Sequence, residues 1–92
     1  MPTRSFSSYF EGALQNPESA REIREEMATL DLGLRLAEAR KNAGLSLDGL
    51  ADRSGVAKTT ILRIEHGASS PTISTLQRLA LALGKRLEVS LV

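Results

Sequence analysis

Four glycines, Gly44, Gly55, Gly67 and Gly84, cut residues 31–84 into short segments, and each closes a stretch whose apolar residues recur at three and four. Glycine just past a helix end adopts the left-handed conformation that satisfies the last turn, so the spacing predicts a series of short helices. The first spans Asp31–Ala43, with Leu32, Leu36, Ala39 and Ala43 on one face and Asp31 as N-cap. The second spans Leu47–Ser54, capped by Ser46, with Leu47, Leu50 and Ala51 inward. The third spans Lys58–His66 around Ile61 and Ile64, and the fourth spans Ile73–Leu83 around Leu76, Leu79, Ala80 and Leu83. Helices this short do not persist alone and must share one core. The expected fold class is all-α, a compact helical bundle.

The two ends of the chain read differently. After Gly84, Leu87, Val89 and Leu91 alternate with Glu88 and Ser90, a strand pattern over residues 85–92. A lone strand needs a mate. It either folds back locally or pairs with the same strand of a second copy across a two-fold axis, and no other segment reads as an internal mate. In residues 1–30, Asn16-Pro17 marks a helix start, with Ala20, Ile23, Met27 and Leu30 as a narrow apolar stripe. All three aromatics, Phe6, Tyr9 and Phe10, fall on one helical face there with Leu14. The expected organisation is therefore an N-terminal helical extension (1–30), a helical domain (31–84) and a terminal strand (85–92).

Composition narrows the functional classes. The chain has no cysteine and one histidine, His66, which excludes a disulfide framework and a thiolate metal site and leaves His66 without companion ligands. No cofactor is expected. No serine has a histidine set to activate it, and no glycine-rich phosphate loop is present, so an enzyme is not expected. Met1–Ser8 is polar and no apolar run could span a bilayer, so a cytoplasmic protein without membrane attachment is the expectation. The net charge of +1 conceals an asymmetry. Residues 1–30 carry three basic and five acidic groups, and residues 31–92 carry nine basic and six acidic. That balance permits nucleic-acid binding without indicating it.

The segment Leu45–Gly67 reads L-S-L-D-G-L-A-D-R-S-G-V-A-K-T-T-I-L-R-I-E-H-G. Two short helices are joined by a tight turn at Ser54–Ala57, with small Ala51 where they approach. The second buries Ile61 and Ile64 and turns Lys58, Thr59, Leu62, Arg63 and His66 outward. A helix of this kind fits a DNA major groove, where its N-terminal residues reach base edges.

With these residues the chain resembles the Cro/cI (XRE) phage-repressor type of helix-turn-helix protein, whose fold is the lambda-repressor-like bundle. The residues that carry the resemblance are Arg40, Gly44-Leu45-Ser46, Leu50-Ala51, Gly55-Val56, Ile61, Ile64-Glu65, Gly67, Pro71, Leu76 and Ala80. It implies base reading by Lys58, Thr59 and Arg63, with backbone contacts from Ser46, Thr60, Gly67, Ser69 and Ser70. It also implies a structural ion pair between Arg40 and Glu65. Two positions depart from the family. Leu47 replaces a glutamine that helps grip DNA, and Ala57 replaces a serine cap, at about 1 kcal/mol.

The ends resemble antitoxins of bacterial toxin–antitoxin pairs. In HipB-like ones a strand like Leu87–Leu91 pairs between subunits, and the F-E-G-A-L-Q-N-P-E-S-A-R-E-I stretch is similar to the leading segment of HigA-type antitoxins. This implies a homodimer on a palindromic operator in double-stranded DNA. It also implies a protein toxin of the RelE/HigB-like kind, or as a second choice a HipA-like kinase, docked on Phe6, Tyr9, Phe10 and Leu14. Those aromatics equally suit packing on their own bundle. The functional expectation is a repressor that doubles as antitoxin and regulates its own operon. The alternatives are a plain repressor and an interaction module that no longer binds DNA.

Overall fold

The structure is a computed structural model that describes residues 15–92. Four helices lie within the described residues: α1 (Pro17–Asn42), α2 (Leu47–Ser54), α3 (Lys58–Glu65) and α4 (Ile73–Ala82). Helix α1 opens where asparagine and proline chemistry directs. The Asn16 side chain accepts from the amides of Glu18 (3.0 Å) and Ser19 (3.4 Å), and Pro17 occupies the first turn, where a missing N–H does no harm.

The helix then runs unbroken for 26 residues, which corrects the expected start at Asp31. Asp31 is not a cap. It sits mid-helix on the exposed face and pairs with Arg35 one turn on, at 2.8 Å. The physical reason is that nothing between Pro17 and Ala43 forces a break. No proline intervenes, and the single glycine, Gly33, costs a helix interior only about 1 kcal/mol. Gly33 serves packing instead. A side chain there would run into the carbonyl oxygens of Ile64 and Glu65, the latter at 2.7 Å, so its absence lets α1 cross directly over the end of α3.

The four segment-closing glycines all lie in the left-handed region, with φ between 69° and 71°. Beneath them the core gathers Leu36 from α1, Leu50 from α2, Val56 from the turn, Ile61 and Ile64 from α3, and Leu79 from α4. Leu45, Leu47, Ala51, Ala82 and Leu83 pack around this cluster. Leu47, which departs from the pattern the resemblance implies, thus contributes to the core edge.

The strand expected at 85–92 does not form; these residues carry no regular secondary structure. A strand requires the N–H and C=O groups of a neighbour, and the described single chain offers it no ladder. Leu87 is half-buried and lines a shallow groove with Leu32, Leu36, Leu76 and Leu83, whereas Val89 and Leu91 project into solvent. Among the described residues, no helix is long and apolar enough to cross a membrane.

Candidate nucleic-acid interface

Helix α3 owes its orientation to two isoleucines three residues apart. Ile61 and Ile64 are both 0% exposed, which fixes the rotation of the helix and turns the opposite face outward. Lys58, Thr59 and Arg63 stand exposed on that face with Leu62 and His66, and Thr60 is half-buried at its margin. Among the described residues, no acidic side chain lies on α3 except Glu65, which points away into its own pair.

The turn that aims α3 is held by local hydrogen bonds. The Ser46 hydroxyl accepts from the Gly49 amide at 3.0 Å and caps α2. Gly55 closes α2 by donating its amide to the Ala51 carbonyl at 2.9 Å. The Ser54 hydroxyl accepts from the Val56 amide at 3.1 Å, a turn-stabilising role not singled out in the sequence. Ala57 precedes α3 with no side-chain cap, leaving the first amides of α3 free to face an acceptor. Ser46 remains exposed, and its hydroxyl proton is still available to donate.

The far end of α3 is locked to α1. Arg40 Nε and Nη2 donate to the two carboxylate oxygens of Glu65 at 2.7 and 2.9 Å, and Nη1 donates to the Leu45 carbonyl at 3.0 Å. The side chains are 12% and 6% exposed. Hydrogen bonding to Glu65 holds the Arg40 guanidinium above its ordinary range, against a smaller opposing effect of burial. Beyond this pair, Gly67 turns left-handed beneath Leu30 of α1. Ser69 is half-buried and Ser70 exposed in the loop that follows. The sequence-predicted residues therefore fall into three places: Lys58, Thr59 and Arg63 on α3, Ser46 at the start of α2, and Gly67–Ser70 at the end of α3.

One neighbour was missed. Asp48, in the first turn of α2, lies 3.2 Å from Lys58 Nζ. The pairing depends on the angle between α2 and α3, which the sequence alone does not report. Phe6, Tyr9, Phe10 and Leu14 lie outside the described residues.

The helix-turn-helix family profile matches residues 36–89. An uncharacterized HTH-type transcriptional regulator of Haemophilus influenzae is 36% identical over 88 residues, covering 96% of this chain and 87% of that protein. The chain belongs to the helix-turn-helix family. It is a DNA-binding transcriptional regulator of the XRE type. Antitoxin HigA1 of Mycobacterium tuberculosis is 37% identical over 82 residues, covering 89% of this chain but 49% of the antitoxin. Among solved structures, the restriction-modification controller protein C.AhdI of Aeromonas hydrophila superposes with a TM-score of 0.64 at 30% identity. That match covers 65% of this helix-turn-helix chain and 91% of the controller.

Proposed function

We propose that the protein is a sequence-specific repressor that binds a palindromic operator as a homodimer and governs its own promoter. The observation that carries the proposal is the orientation of α3, with Ile61 and Ile64 wholly buried and Lys58, Thr59 and Arg63 exposed together. Arg63 grips guanine O6 and N7 with two hydrogen bonds, Lys58 donates to the same kind of edge, and Thr59 meets a thymine methyl. Ser46, Thr60 and the Gly67, Ser69 and Ser70 loop hold the phosphates on either side and set the register. Two copies joined through Leu87, Val89 and Leu91 present their α3 helices about 34 Å apart, in successive major grooves. Occupancy then occludes the promoter. Titrating the protein on its own upstream DNA, against a scrambled duplex, tests this. Tight, salt-sensitive and sequence-dependent binding is expected, and equal affinity for both duplexes defeats the proposal.

A second reading, that the repressor is also an antitoxin, is favoured by one observation. The alignment with antitoxin HigA1 is too long to fit within residues 31–92, so it reaches into the N-terminal thirty. In this reading Phe6, Tyr9, Phe10 and Leu14 dock a RelE/HigB-like toxin. Removal of residues 1–15 spares operator binding and abolishes neutralisation of a toxin encoded beside the gene. A truncated protein that still rescues growth refutes it.

A further inference from the structure

The start of α2 sets a carboxylate against the first residue of the reading helix. Lys58 Nζ lies 3.2 Å from Asp48 Oδ1 and 3.4 Å from Oδ2, with the two side chains 52% and 73% exposed. We propose that Asp48 is a positioning residue for DNA recognition, which tethers the Lys58 ammonium and masks its charge so that Lys58 serves operator selectivity more than general DNA affinity. The inference rests on the reading that Lys58 faces the duplex.

An ammonium has three protons, and Asp48 engages only part of that set, leaving donors for guanine O6 or N7. An untethered lysine at a DNA surface is drawn to phosphates, which carry no sequence information. A carboxylate at 3.2 Å offsets that pull. The pair is also open to solvent, so it is weak enough for a base edge to compete with it. Asp48 does not cap α2, since Ser46 does, and among the described residues Lys58 is its only ionic partner. The plain structural role for Asp48 is a favourable charge in the first turn of α2, and that role is indifferent to Lys58.

The experiment uses the full chain as wild type, Asp48→Asn, Asp48→Glu, Lys58→Met and the Asp48→Asn/Lys58→Met double variant. Each is titrated on its own upstream duplex and on an unrelated duplex at several salt concentrations, with thermal melts confirming that all are folded. Asp48→Asn is expected to tighten unrelated DNA about three- to tenfold and to steepen the salt slope by about one released counterion. Operator affinity changes less, so discrimination falls. Asp48→Glu retains wild-type discrimination. In the Lys58→Met background, Asp48→Asn leaves the salt slope unchanged. An equal effect of Asp48→Asn with and without Lys58, or no effect in either, overturns the role of Asp48 while leaving the α3 reading intact if Lys58→Met alone weakens binding. If Lys58→Met alone alters neither duplex, both the inference and the DNA-facing assignment of Lys58 fail.

Discussion

Arg40 and Glu65, 25 residues apart, meet as a two-pronged ion pair in which Nε and Nη2 of one reach both oxygens of the other at 2.7 and 2.9 Å. With both side chains almost wholly covered, each charge depends on its partner for the solvation it has lost. Arg40→Met leaves the Glu65 carboxylate buried and unpaired and also frees the Leu45 carbonyl. A loss of about 3 kcal/mol in urea unfolding is expected. A change within about 0.5 kcal/mol, typical of exposed surface sites, would mean that water replaces the guanidinium freely and that α1 and α3 are held by apolar packing alone.

Gly33 opposes helix propensity. Alanine is favoured over glycine in a helix interior by about 1 kcal/mol, so Gly33→Ala in an isolated helix would stabilise. Here the added carbon meets the Ile64 and Glu65 carbonyl oxygens, which are backbone and cannot rotate aside. The variant is expected to lose about 1–3 kcal/mol as α1 is pushed off α3. An increased denaturation midpoint would show that the helices separate without strain.

The contrast between Gly33 and the other glycines explains what was legible in the sequence. Gly44, Gly55, Gly67 and Gly84 end segments, and their left-handed backbone follows from local chemistry. Asn16-Pro17 and Ser46 are equally local, and each caps the helix expected of it. Asp31 misled because a residue able to cap does not make a helix start when the preceding turn already propagates. The purpose of Gly33 depends on carbonyls some thirty residues away, and no periodicity reports that. Likewise the Arg40–Glu65 pair was accessible only through family resemblance, and the Asp48–Lys58 contact only through the angle of the turn. The strand pattern of residues 85–92 describes an appetite for a partner that a single chain does not satisfy.

Ala57 leaves the amides at the start of α3 without a side-chain acceptor, although its backbone (φ −59°, ψ 140°) is one in which a serine would cap. Ala57→Ser is expected to add about 1 kcal/mol of stability, visible as a rise of roughly 4–8 °C in thermal midpoint. An unchanged midpoint would indicate that the hydroxyl cannot reach the second or third amide of the helix.

Arg63 projects from the exposed face of α3 and has no ion-pair partner among the described residues, so its guanidinium is free to present two parallel donors. Arg63→Ala is expected to weaken operator binding by about 1–3 kcal/mol and to relax base choice at one position in each half-site. Selection of binding sites from a randomised duplex pool measures both. The same preferred site at the same affinity would remove Arg63 from the reading set.

Val89 and Leu91 are 66% and 99% exposed at the end of a chain whose preceding half, from Leu36 to Leu83, is well packed. Apolar residues in alternation, left in solvent with unpaired backbone groups, are open to pairing with a second copy. The Arg86–Glu88 ion pair beside them is largely exposed and adds nothing to the core, so removing Glu88–Val92 should leave the helices intact. On the proposed pairing, the full chain is expected to sediment as a dimer and the truncated chain as a monomer at the same concentration, with an unchanged helical spectrum. Because two linked half-site contacts become independent, its operator affinity should fall by about two orders of magnitude or more while its affinity for a single half-site is kept. A dimer that survives the truncation would move the subunit contact to another surface, and the 34 Å spacing of paired α3 helices expected for the operator would have to be re-derived from that surface.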